Sequence, residues 1–150
     1  MFRGCVTLIT ILAFLILIAS VYFYLVLWPK EKVRQTTIVL HGLEKAEMAY
    51  RGEIETPLPA DPSALAAALL GDNPREKAYL GEKQIPQRDG RFTDFWRQEI
   101  VIENRSSGEG LTFLSLGADG EQGTPDDLRP KDFWTHFPDQ REPASANDTP

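Results

Sequence analysis

CVTLITILAFLILIASVYFYLVLW, Cys5–Trp28, is the stretch on which the fold turns, and it carries no charged residue. A hydrocarbon core about 30 Å thick needs roughly 20 apolar residues in a helix rising about 1.5 Å per residue, so this run can span with some tilt. In lipid its backbone groups can pair only within the segment, which makes it a helix. The run is longer than the roughly 7–15 apolar residues of a secretory signal. It ends in Val21–Trp28, which sets Tyr22, Phe23, Tyr24 and Trp28 at the far interface where a small-residue cleavage site would otherwise lie. It reads as an uncleaved anchor. A lipoprotein signal places its apolar region before the cysteine, whereas only Met1–Gly4 precede Cys5.

Working outward, the chain divides into a leader, residues 1–4, a transmembrane helix, residues 5–28, one small folded domain, residues 29–137, and an unstructured tail, residues 138–150. Residues 31–150 hold 14 of the 16 basic residues and all 22 acidic ones, a net charge of −8. Such a domain repels nucleic acid and anionic lipid and suits a hard cation. The single cysteine, Cys5, lies in the apolar run, so no intramolecular disulfide is available. Arg3 and the α-amino group stand before the span; Lys30, Lys32 and Arg34 stand after it against Glu31. Taken alone, that bias puts the C-terminal domain on the cytoplasmic side.

Beyond the span, Pro29 lacks an N–H and crowds the carbonyl four residues back, which predicts a kink. Residues 30–51 keep a helical rhythm to about Tyr50, with Val33, Val39 or Leu40, Leu43, Ala46 and Tyr50 on one stripe. Glu44, Lys45 and Glu47 fall on a solvated face, and His41, with no cysteine or second histidine nearby, reads as a surface or core-edge residue. Gly52 with Pro57 and Pro59 ends the helix. Asp61-Pro62-Ser63 caps a short second helix that stops at Gly71 and carries Leu65 and Leu69 on one face. Residues 72–93 read as irregular chain with turns at Asp72-Asn73-Pro74, Ile85-Pro86 and Asp89-Gly90. Gln98–Glu103 and Leu111–Leu116 predict an antiparallel hairpin around the loop Asn104–Gly110. The fold class is therefore α+β. Asn104-Arg105-Ser106 and Asn147-Asp148-Thr149 match the glycosylation acceptor pattern and read as plain loop asparagines. No spaced nucleophile–base set is present, and His136, among Trp134 and Phe137, reads as packing. The expectation is a protein that is not an enzyme.

Ser115–Leu128, SLGADGEQGTPDDL, gathers Asp119, Glu121, Asp126 and Asp127 with no basic residue, and Gly117, Gly120 and Gly123 let the backbone turn sharply. Its donors are all oxygen, which suits calcium over a transition metal, while a solvated acidic turn remains an equal reading.

The segment Phe113–Leu128, FLSLGADGEQGTPDDL, resembles the C-terminal calcium loop of the major pseudopilins of bacterial type II secretion systems, whose usual form is close to SLGADG…GG…DD. Asp94-Phe95-Trp96-Arg97-Gln98-Glu99 is similar to that family's D-P-W-G-N-P-Y segment, and Gly4 with Thr7-Leu8-Ile9 is similar to the prepilin cleavage motif G-F-T-L-I-E. The resemblance implies a pilin-like fold: a long N-terminal transmembrane helix packed on a small antiparallel sheet, with a calcium-binding loop. It implies a structural Ca2+ held by the side chains of Asp119 and Asp126 and the carbonyls of Leu116 and Leu128, with Asp127 an additional donor. It further implies a single-pass protein of the bacterial inner membrane with a cytoplasmic leader and a periplasmic domain, against the charge bias. Its partners would be inner-membrane lipid, homologous pseudopilin subunits and the secretion machinery, in a short fibre that aids protein export. Residues 94–99 lack the family's prolines, glycine and asparagine, and two departures lie at the N-terminus: two residues, Cys5 and Val6, separate Gly4 from T-L-I, and Thr10 stands where the family has glutamate. They point to the alternative, a membrane-anchored calcium-binding interaction module that does not polymerise.

Overall fold

A computed structural model describes residues 2–81, 84–105 and 110–140, with side chains from Ile11 onward. The leader and cleavage-motif side chains, Ser106 of the first acceptor pattern, the second acceptor pattern and residues 141–150 of the tail lie outside these. The chain forms two compact units that divide between Lys32 and Val33.

In the first unit, helix α1 runs Phe2–Tyr22 and is followed by one π-helical turn, Phe23–Leu27, and by the start of α2, Trp28–Glu53, most of which belongs to the second unit. The π turn answers the proline at 29. Pro29 offers no N–H to the carbonyl four residues back, and the Trp28 N–H instead reaches Phe23 O, five back. Between Ile11 and Trp28 every large apolar side chain is exposed except the half-exposed Val26. Phe23 and Tyr24 pack against Trp28 at ring separations of 6.1 and 6.5 Å. Among the described residues one helix is long and apolar enough to cross a membrane, by length and composition.

The second unit is α+β. The α2 stripe is buried as its period requires: Val39, Leu40, Leu43, Ala46 and Tyr50 all enter the core, with Val33 at its edge. Helix α3, Pro62–Leu70, begins where Asp61 Oδ1 accepts the Ser63 and Ala64 N–H groups at 3.1 and 2.9 Å, and ends at Gly71 with φ 126°. Leu65 and Leu69 are buried, joining Phe92, Ile100, Leu111, Phe113 and Leu128 in one core.

Two antiparallel ribbons complete the unit. β1, Gln87–Arg88, pairs with β2, Arg91–Phe92, across Asp89 and Gly90, whose φ values are 53° and 75°. Positive φ at both central residues gives a two-residue turn that matches strand twist, and Asp-Gly is its common sequence. The reading of 72–93 as irregular throughout is corrected here: the turn signal was right and its flanking strands were missed, because they are only two residues long. β3, Val101–Asn104, pairs with β4, Leu111–Leu114. The expected strands were longer, Gln98–Glu103 and Leu111–Leu116. Their outer residues pair elsewhere, Glu99 with Thr93 and Ser115 with Leu128, as single bridges.

Glu47 is a second correction. It is fully buried, not solvated, and Arg105, Gly110 and Leu111 lie against it. Its Oε1 faces Arg51 Nε at 2.6 Å and accepts the Leu111 N–H at 3.3 Å, while Oε2 faces Arg105 Nη2 at 3.6 Å. Gly110, at φ 91°, lies where a Cβ would strike that carboxylate. Thr36 and Thr37 are buried too, Thr37 bonding back to Arg34 O at 2.8 Å. Near the chain end a 3-10 turn, Pro130–Asp132, leads into α4, Phe133–His136, and a further turn, Pro138–Gln140, carries ordered chain past Phe137. Phe133 stacks on the half-buried His41 at 4.2 Å, so the aromatic cluster packs on His41 while His136 itself is exposed. Burial, aided by the Lys45 charge, holds the His41 pKa below its usual value.

Candidate functional site

β4 delivers the chain into the acidic loop at Ser115, a buried residue that is also bridged to Leu128 at the loop's far end. Ser115 N donates to Leu128 O at 3.0 Å and Leu128 N to Ser115 O at 2.9 Å. Both ends of the loop are thereby held together without a disulfide. Gly117 makes the first turn at φ 64°, and a Cβ there would overlap the carbonyl and carboxylate of Asp126. Only glycine fits that position without strain.

Asp126 is the loop's centre. Its Oδ2 accepts the Ala118 and Asp119 N–H groups at 2.7 and 3.2 Å, and its Oδ1 accepts the Thr124 hydroxyl at 2.6 Å. The Thr124 hydroxyl first, and then the backbone amides, lower the Asp126 pKa from 3.8 to about 2, against the opposing effect of burial. Asp119 Oδ1 accepts the Glu121 N–H at 2.9 Å and lies 3.4 Å from Thr124 Oγ1. Thr124 therefore brings the carboxylates of Asp119 and Asp126 to a common point. Asp127 turns to a different donor, the Gly123 N–H, at 2.7 Å through Oδ2; its buried Oδ1 has no hydrogen-bond partner among the described residues. Leu116 O accepts the Gly120 N–H at 3.2 Å, and Leu128 O is taken up in the bridge to Ser115. Among the described residues no group of three or more histidine, cysteine or acidic side chains is gathered as a metal would need. The arrangement can close a loop on its own hydrogen bonds, and Asp119, Asp126 and the orphan Asp127 oxygen are hard donors of the kind calcium takes.

In comparison with known proteins, no family model, no curated protein and no solved structure matches this chain.

Two residues that matter here are absent from the sequence-level set. Thr124 precedes Asp126 by two, a spacing at which a hydroxyl can bond locally, and that is the signal that could have found it. Asp94 is the other. It is buried, and it closes a three-residue turn in which its Oδ1 accepts the Trp96 and Gln98 N–H groups at 2.8 and 2.9 Å. Its Oδ2 accepts the Ser115 hydroxyl at 2.6 Å, and Ser115 Oγ in turn accepts the Gly117 N–H at 3.2 Å. The turn at 94–98 is thus wired to the first residues of the loop. Phe95 N–H also reaches Thr36 Oγ1 on α2 at 3.4 Å. Within that turn Arg97 has φ 67°, at the position where the resembled D-P-W-G-N-P-Y pattern carries glycine.

Proposed function

We propose that this chain is a pseudopilin-like structural subunit of a type II secretion or related pilus-like machine. Its apolar helix is the anchor in a bacterial inner membrane, and its folded unit faces the periplasm. Its work is mechanical: packing with homologous subunits into a short fibre that aids protein export, without catalysis. The observation that carries this reading is the Asp94–Ser115 bond, since it joins in space the two segments, 94–99 and 113–128, whose sequences resemble the family. A helix with a buried stripe over a small antiparallel ribbon is consistent with it. Calcium belongs to the same reading. Asp119 and Asp126, with Asp127 and the carbonyls of Leu116 and Leu128, would hold the ion. When bound it supplies a cross-link between the chain after β4 and the sheet.

A second reading, an anchored calcium-binding module that does not polymerise, is favoured by Thr10 and by the extra residue after Gly4. The intact mass and N-terminal peptide of the protein extracted from its native membrane separate the two. Cleavage after Gly4 with a methylated terminus at Cys5 supports the fibre subunit. An intact Met1 terminus overturns it in favour of the module.

A further inference from the structure

We propose that a groove beside the 94–98 turn binds a peptide carboxylate between the guanidinium groups of Arg88 and Arg97, with an adjacent apolar side chain of that peptide lying against Phe95 and Pro86. The groove has a volume of about 580 Å³, and these four residues line it. A second hollow of about 480 Å³ adjoins it, sharing Arg88, Thr93 and Arg97. Three arginines, Arg88, Arg91 and Arg97, therefore meet in one place on a unit whose net charge is strongly negative.

Asp89, Asp94 and Glu99 line the same hollows and offset part of this charge, but none of their carboxylates is bonded to the Arg97 guanidinium. Both oxygens of Asp94 are taken by the Trp96 and Gln98 amides and the Ser115 hydroxyl. Glu99 is bonded to Arg91 at 2.8 Å. Asp89 lies 3.6 Å from Arg88 with both side chains largely exposed, a pair of little strength in water. Arg97 forms no ion pair among the described residues. It also stands where the backbone favours glycine: Arg97 N–H bonds to Asp94 O at 3.1 Å and Asp94 N–H to Gln98 O at 2.9 Å, the three-residue loop whose last position takes a left-handed φ. Glycine occupies that position without strain, and a side chain does not. Arg97 thus stands at the groove with a guanidinium that no carboxylate among the described residues pairs. Guanidinium groups recognise carboxylates through paired N–H bonds. Phe95 is 37% exposed and supplies the apolar wall. The surrounding negative charge disfavours polyanions, which makes a short peptide with an isolated carboxylate the fitting ligand and nucleic acid an unfitting one.

The test is fluorescence anisotropy on the full chain in detergent micelles, with a labelled, C-terminally amidated peptide carrying a single aspartate flanked by leucines as the probe and its single-lysine counterpart as control. Saturable binding of the aspartate peptide alone, weakened about tenfold by Arg88→Ala and by Arg97→Gly, is expected. Because glycine accepts the φ of 67°, Arg97→Gly keeps the turn, and its melting midpoint does not fall. The proposal is overturned by absent binding, by equal binding of the lysine peptide, or by an Arg97→Gly chain that binds as well as the parent. Displacement by free acetate at the peptide's own concentration would also overturn it, since the apolar wall would then contribute nothing.

Discussion

Ser115 donates its hydroxyl to Asp94 Oδ2 at 2.6 Å, and both residues are buried. Residues 21 apart in sequence are thus joined at the point where β4 becomes the acidic loop. Because Ser115 Oγ also accepts from Gly117 N, the bond orients the loop's first turn as well as closing a contact.

Ser115→Ala leaves Asp94 Oδ2 without a donor in a buried site. The expected cost is about 1–3 kcal/mol, the price of an unsatisfied buried group. Asp94→Asn retains an acceptor for the turn amides and should cost less than Asp94→Ala. Chemical denaturation of the full chain in micelles reads all three.

Gly117→Ala destabilises through the backbone and through the overlap with Asp126 together. A loss of more than about 1 kcal/mol is expected, because an alanine at φ 64° is strained before any contact is counted. Gly123→Ala, at φ 93° with open space around it, shares only the strain and should cost less. Thermal melts of the two variants side by side make the comparison.

Asp126 carries a pH dependence of defined sign. Its pKa is lowered in the folded chain from 3.8 to about 2, so its contribution is fully present above pH 3.8 and is lost as the pH falls through about 2. Asp126→Asn should flatten the melting midpoint over that interval relative to the parent. Thr124→Val should do so in part, since the Thr124 hydroxyl is the largest cause of the shift.

Calcium added to the full chain in micelles should raise the melting midpoint, and chelator should reverse it. The stabilisation follows RT ln(1 + [Ca2+]/Kd), about 2.7 kcal/mol when the free ion is roughly 100-fold above Kd. Asp119→Ala should abolish the shift while leaving the Asp126 bonds to the Ala118 and Asp119 amides in place. An unchanged midpoint in the parent would remove calcium from the proposed function and leave the anchor and fold untouched.

Glu47→Ala breaks a buried carboxylate away from Arg51 and Arg105 and leaves the Leu111 N–H unpaired. Removing one partner of a buried pair costs about 3–5 kcal/mol, and the partial exposure of both arginines sets the lower end. Glu47→Gln, which can still accept from Leu111, should lose less by the same denaturation measurement.

What the chain announces by itself is local. The apolar run from Cys5, the Asp61 cap with Pro62 and Gly71 around α3, the α2 stripe and the β3–β4 pair all rest on periodicity or on contacts a few residues long, which a sequence displays directly. The acidic loop was visible for the same reason, as glycines and carboxylates in one short stretch. Only the tertiary structure decided that Glu47 is buried, since Arg105 and Leu111, which lie against it, are about sixty residues further along the chain. It decided that Glu99 and Ser115 leave their expected strands for Thr93 and Leu128. It also decided which groups the carboxylates meet: Asp126 the amides of 118 and 119, and Asp94 the hydroxyl of Ser115. Each of these is a partner chosen across a distance in sequence, and composition names the groups that need partners without saying which ones will meet.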